Sequence, residues 1–330
     1  MAVTMADITK LRKLSGAGMM DCKNALAETD GDLDKAMEII RKKGQAVAAK
    51  RSDRDASEGC VLAKSTGKKA AMIALKCETD FVAKNADFVA LTNDILDAAI
   101  ANNCKTLEEV KALPLGNGTV ADAVVDRSGI TGEKMELDGF NVVEGECVSV
   151  YNHQNKNQLC TMVAFNKEVN EAIAHEIAMQ IAAMNPIAID ETTVPASVVE
   201  AERQVAIEKT KEEQVKKAVE AALKKAGFNL YIAENEEHIN EGIMKGTITE
   251  AQAQEIRNIK ESVAAEKAAN LPEQMIQNIA NGRISKFFKE VCLVNQEYIM
   301  DPKKTVADVL KEADADLKIV DFKRFTLRAE

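Results

Sequence analysis

The chain has 330 residues, 46% of them apolar and 4% aromatic, with no tryptophan and a formal net charge of -10. This length and apolar share describe a folded protein of two or three domains rather than a disordered one. The charge argues against a nucleic-acid binder, which concentrates Lys and Arg against phosphates, and no run of 18 apolar residues exists to cross a membrane.

Residues 1–55 read as a helical module and linker. Ile8, Leu11 and Leu14 are spaced for one helical face, and the Ser15-Gly16-Ala17-Gly18 run breaks it. Met19, Cys22, Ala25 and Leu26 mark a second amphipathic helix, one of whose adjacent methionines is left free for a partner. Asp32 can cap a third helix bearing Leu33, Ala36, Met37 and Ile40, which Gly44 is expected to end. So small a core suggests a recognition module, tethered by the polar stretch 50–59.

Beyond it lies a diverged internal repeat. Residues 58–81 and 144–169 share an opening Glu-Gly, a Cys-Val pair, a polar turn and a second apolar strand, and each is followed by a helix. The first helix carries Phe88, Leu91, Ile95 and Ala99, and the second carries Val169, Ile173, Ile177, Ile181 and Met184 before Asn185-Pro186. The expected fold class is α+β: a three-helix module, then two related subdomains built on antiparallel hairpins, at 56–140 and 141–330. A long charged helical insertion over about 196–270, with Val198, Val205, Val215, Val219 and Leu223 among Glu and Lys, interrupts the second. The globular pattern resumes with a helix near Pro272 and closes with an alternating strand at 318–327.

Residues 56–195 carry 20 acidic and 11 basic side chains, a solvated acidic face or one that meets a basic partner. Seven cysteines without a C-x-x-C pair read as small buried residues in a reducing compartment. The start MAVTMADITK lacks an apolar signal core, so a cytoplasmic location is expected.

Enzyme motifs are missing. Gly67-Lys68-Lys69 lacks the upstream Gly and the hydroxyl residue of a phosphate loop, and Gly16-Ala17-Gly18 runs into Asp21 where a dinucleotide cradle needs Gly. His175-Glu176 lacks a second histidine one turn on, as a zinc peptidase requires. We expect no enzyme activity, cofactor or metal. His153, in the polar turn 151–156, is either a surface contact or a solvated loop residue. Phe81, in Thr79-Asp80-Phe81-Val82 between strand and helix, either folds onto the core or points outward as a probe.

Three stretches carry a resemblance that spans nearly the whole chain: residues 15–26, residues 79–85 and residues 281–312. Together they resemble the bacterial translation elongation factor Ts family. The resemblance implies a guanine-nucleotide exchange factor that releases GDP from elongation factor Tu, with a ubiquitin-associated-like N-terminal module. It implies that the loop Thr79, Asp80, Phe81 and Val82 enters the partner and disturbs its Mg²⁺ site. It assigns further partner contacts to Arg12, Met19, Met20 and Lys23, and to His153, Ile299 and Met300. The alternative from another class is a non-catalytic adaptor that binds a helix or a ubiquitin-like partner and could homodimerise through the insertion. Neither reading involves direct contact with nucleic acid or membrane.

Overall fold

The computed structural model describes residues 3–51 and 53–327, so Ser52 of the linker lies outside it. Three helices open the chain: α1 (Met5–Ser15), α2 (Met19–Glu28) and α3 (Leu33–Ala49). Thr4 and Asp7 form a capping box at the start of α1, and Gly16 ends it at φ 69°. The Asp32 carboxylate accepts from the Asp34 and Lys35 amides at 3.1 Å, satisfying free N–H groups at the start of α3. The core of this module is Ile8, Leu11, Ala17, Cys22, Ala25, Leu26 and Ala36.

Two expectations change here. Leu14 and Met19 leave the buried stripe and are exposed, because Ile8 and Leu11 with Cys22, Ala25 and Leu26 already fill so small a core. Gly44 does not end α3, which continues to Ala49. It lies where α3 crosses a later helix at Gly129, and a Cβ on Gly129 would fall 2.2 Å from the Gly44 Cα. Glycine serves here for close backbone approach rather than for termination.

The hairpin β1 (Glu58–Thr66) and β2 (Lys69–Cys77) leads into the one-turn helix α4 (Asp80–Ala83) and then α5 (Ala86–Ala101). Next come α6 (Leu107–Ala112), the two-residue strands β3 (Pro114–Leu115) and β4 (Gly118–Thr119), α7 (Val120–Thr131) and β5 (Met135–Glu144). A second hairpin, β6 (Cys147–Asn152) and β7 (Leu159–Phe165), precedes α8 (Glu171–Met184). Five helices follow: α9 (Ala196–Lys225), α10 (Leu230–Ala233), α11 (Glu236–Met244), α12 (Glu250–Ala269) and α13 (Glu273–Val291). The chain closes with β8 (Glu297–Tyr298), β9 (Asp301–Thr305), α14 (Val306–Ala313) and β10 (Ile319–Thr326).

The architecture is α+β with small antiparallel sheets. Of the two three-stranded sheets one has the order β1-β2-β5 and the other β10-β7-β6, so each hairpin gains a third strand from later in the chain, while β3-β4 and β8-β9 form two-stranded sheets. Strand period two divides the side chains between layers. Ile73, Leu75 and Cys77 of β2 join Phe88, Ile95 and Leu96 of α5 in one core. Ala70, Met72 and Ala74 face the second sheet, where Cys160, Met162 and Ala164 of β7 meet them. The small alanines allow the sheets to stack. A boundary at 140/141 falls inside β5, which pairs along its length with β2.

The chain forms two compact units, Met1–Ile189 with Glu297–Glu330, and Asp190–Gln296. The second is mainly helical and is wider than 196–270, because α13 packs on α9: Arg283 pairs with Glu213 at 2.7 Å, and Arg203 donates to Asn281 at 2.8 Å. Its core is Leu223, Ala233, Ile239, Ile248, Ala253 and Ile256. Of the valine series read along α9 none is fully buried, and Val205 is exposed.

Candidate partner-binding surface

The Thr79–Val82 segment follows the end of β2 after one residue, Glu78. Thr79 has extended backbone, and its hydroxyl accepts from the Val82 amide at 3.4 Å, capping α4. The segment is thus a helical turn and not a loop. Its base is gripped from the far end of α7: Glu133 accepts from the Thr79 hydroxyl at 2.6 Å and from the Thr79 amide at 3.0 Å. Ala83 is buried and Val82 packs against the α5 core, which leaves Asp80 and Phe81 on the outer side. Phe81 is 84% exposed, whereas Phe88, one turn into α5 behind the Asn85 cap, is 0% exposed. Burying Val82 and Ala83 from a four-residue helix leaves no inward position for Phe81.

Electrostatics organise the same turn. Asp80 pairs with Lys84 at 2.5 Å, and that hydrogen bond holds its carboxyl below the ordinary carboxylate value, so it is ionised. Glu78, mostly shielded, accepts from the Lys134 amide at 2.6 Å and from Arg54 at 2.9 Å, with Arg51 at 3.4 Å. The Lys134 amide lowers its pKa most, and Arg54 adds to this against the opposing effect of burial.

The other expected contact residues lie at three places. Arg12 and Lys23 are exposed, and so are both methionines, Met19 at 48% and Met20 at 63%, where only one was expected to be free. His153 opens a 3-10 turn between β6 and β7; its Nδ1 lies 2.9 Å from the Tyr151 hydroxyl. Ile299 and Met300 form the turn between β8 and β9, with Ile299 half-buried and Met300 exposed.

Helix α8 supports the last two places together. Its His175 meets the Tyr151 ring edge-on at 5.5 Å. Its Glu176 accepts from the Tyr298 hydroxyl. Its fully buried Gln180 donates to the Glu297 carbonyl at 3.1 Å and accepts from the Ile299 amide at 2.8 Å. Sequence reasoning missed Glu78, Glu133, Glu176 and Gln180 as positioning residues. No local pattern marks them, since the partners of Glu133 and Gln180 lie 54 and more than 100 residues away. Among the described residues, no group of three His, Cys, Asp or Glu could hold a metal ion.

The family model described as Elongation factor TS matches residues 78–256 and 233–329, most of the chain and including the Phe81 turn. The chain belongs to the elongation factor Ts family. Curated relatives named Elongation factor Ts are 74% identical in Phocaeicola vulgatus, 71% in Bacteroides thetaiotaomicron and 71% in Parabacteroides distasonis. Each alignment covers the whole of both chains and so includes the N-terminal stretch that precedes the family match. Membership assigns the chain to translation elongation in protein biosynthesis. Among the described residues no helix is long and apolar enough to cross a membrane.

Proposed function

We propose that this chain is the guanine-nucleotide exchange factor of elongation factor Tu, and that the Thr79–Val82 turn enters the partner and disturbs its Mg²⁺ site. Family membership supports the partner. The observation that carries the mechanism is the outward Phe81, the most exposed phenylalanine side chain among the described residues, on a turn anchored at its base by Glu133. A ring held outward on an anchored turn is free to be buried by a partner, where its large apolar area contributes strongly.

The two outer side chains have different tasks. Phe81 wedges between partner helices. Asp80 brings a carboxylate to the groups that hold Mg²⁺ against the phosphates, where an added negative charge rearranges the cation's ligands. Its ion pair with Lys84 is solvent-screened and therefore easily exchanged for another. Weakening nucleotide binding about 10⁴-fold needs about 5.5 kcal/mol of differential affinity. Burying one Phe supplies only about 1.5–3 kcal/mol. Contacts from Arg12, Met19, Met20 and Lys23, and from His153, Ile299 and Met300, supply the remainder.

Linkage explains why no nucleotide site of its own is needed. A factor that weakens GDP binding is itself bound more weakly by the GDP form, to the same extent. No bond in GDP is made or broken. Stopped-flow release of fluorescent GDP from elongation factor Tu tests the reading: release accelerates with increasing concentration of this chain, and a rate unchanged by it would leave the adaptor reading.

A further inference from the structure

Three features outside the proposed contacts converge on the base of the Phe81 turn. The first is the α3–α7 crossing, where Gly44 and Gly129 meet backbone to backbone. Arg41 of α3 strengthens the crossing, pairing with Asp122 of α7 at 2.9 Å and lying 3.6 Å from Asp126. The second is the linker that leaves α3, whose Arg51 and Arg54 hold Glu78 while the Arg54 carbonyl accepts from Lys134 Nζ at 3.0 Å. The third is the end of α7, where the Ser128 hydroxyl donates to the Glu133 carbonyl at 2.5 Å and the Glu133 carboxylate clamps Thr79.

These features form a closed path. From the N-terminal module, α3 docks on the middle of α7; the linker returns to Glu78; the end of α7 reaches Thr79. Glu78 and Thr79 are consecutive residues immediately before Asp80 and Phe81, so both grips act on the two peptide units that aim the ring. A turn of four helical residues has too few internal hydrogen bonds to hold its own direction. Its orientation must come from outside. Charge-assisted hydrogen bonds to mostly shielded carboxylates are suited to that task, being directional and stronger than neutral ones.

We infer that Glu78, Glu133, Arg51 and Arg54 are positioning residues for exchange, and that docking of the N-terminal module at Gly44 and Gly129 sets the orientation of the Phe81 turn. The module is then a brace as well as a contact surface, and its displacement would loosen a turn that it does not touch through its own core. The inference rests on the proposed exchange function for its kinetic consequence, but not for its structural one.

The experiment therefore has two arms. In the free protein, amide hydrogen exchange is followed at residues 81–84, which depends on no partner. With elongation factor Tu, GDP release is measured against factor concentration, which separates the saturating rate from half-saturation. The variants are Glu133→Ala, the surface double variant Arg51→Ala/Arg54→Ala, its charge-conserving counterpart Arg51→Lys/Arg54→Lys, and Gly129→Ala. Glu133→Ala and the double alanine variant should speed exchange at residues 81–84 about tenfold and lower the saturating rate several-fold. Half-saturation should stay within about twofold, because the other contact surfaces are intact. The lysine variant should recover most of both effects. Gly129→Ala, whose new methyl forces the crossing apart, should loosen the same amides although it lies outside the turn.

Unchanged protection at residues 81–84 in both alanine variants would overturn the inference, as would loosening by them with no effect of Gly129→Ala. Loss of binding and rate together would assign these residues a merely structural role. If Phe81→Ala released GDP as fast as the parent while the alanine variants still loosened the turn, the exchange mechanism would fail and the brace would stand.

Discussion

Truncating Phe81 and Phe88 separately gives opposite outcomes from chemically identical changes seven residues apart. A fully buried aromatic side chain removes about 150–250 Å² from water. Phe81, 84% exposed, buries roughly a sixth of that, about 25–40 Å², worth below about 1 kcal/mol at about 25 cal/mol per Å². Phe88 is 0% exposed and lies among Ile73, Leu75, Ile95 and Leu96, so its truncation leaves a cavity costing about 3–5 kcal/mol. At roughly 2–4 °C per kcal/mol, Phe81→Ala shifts the melting temperature by a few degrees at most. Phe88→Ala shifts it by about 6–20 °C. In the exchange assay the order reverses. Loss of the 1.5–3 kcal/mol that a buried ring contributes to the complex slows stimulated GDP release about ten- to a hundredfold for Phe81→Ala. Folded Phe88→Ala protein, assayed well below its melting temperature, retains most of its activity. Differential scanning fluorimetry and stopped-flow release of labelled GDP measure the two effects. Equal destabilisation by the two variants, or parental release by Phe81→Ala, would refute the reasoning.

Three further outcomes are expected. Replacing Asp190–Gln296 with a flexible Gly/Ser linker should leave the remaining unit with its own cooperative calorimetric transition, since the two clusters formed around β2, one with α5 and one with β7, contain no residue of that segment; a broad, non-cooperative melt would show otherwise. A narrower deletion of 202–266 should fare worse, because it cuts α9 and strips α13 of its partner. Burial pushes the Cys60 thiol up to about 11, Cys77 to about 12 and Cys292 to about 11, so at pH 8 a disulfide reagent should label half-buried Cys147 first and these three only on unfolding. Rapid labelling of Cys60 or Cys77 in the native protein would contradict that packing. Glu78, held below its ordinary 4.5 by the Lys134 amide, contributes stability above the unfolded value and loses it as pH falls through the depressed folded one. The thermal deficit of Glu78→Gln should therefore be full at pH 7, begin to shrink as pH falls below 4.5 and vanish below the depressed folded value, and a deficit independent of pH would show that shape, not charge, matters there.

Local patterns revealed much of this fold. The Thr4 cap went unread, yet Ile8 and Leu11, and likewise Cys22, Ala25 and Leu26, mark the first two helices because one narrow face of each is buried. The two hairpins were visible as paired apolar runs around polar turns. No element was read between Ala101 and Glu144, although Thr106 with Glu109 and Thr119 with Asp122 are capping boxes that announce α6 and α7. Gly44 misled because a glycine late in a helix has the same local appearance whether it ends the helix or admits another backbone; Gly129, which decides the matter, lies 85 residues on. Phe81 could not be resolved from spacing, since what turns it outward is the burial of Val82 and Ala83 beneath it. The residues that aim the turn were invisible for the same reason, as their partners are distant in sequence.

The central claim is negative coupling between this chain and GDP on elongation factor Tu, and titration calorimetry measures it directly. Affinity for the partner is determined once without nucleotide and again at a saturating GDP concentration. The account predicts much tighter binding to the nucleotide-free partner, by the same factor with which this chain weakens GDP binding. Equal affinity in the two titrations would contradict it, because a ligand without differential affinity shifts no equilibrium.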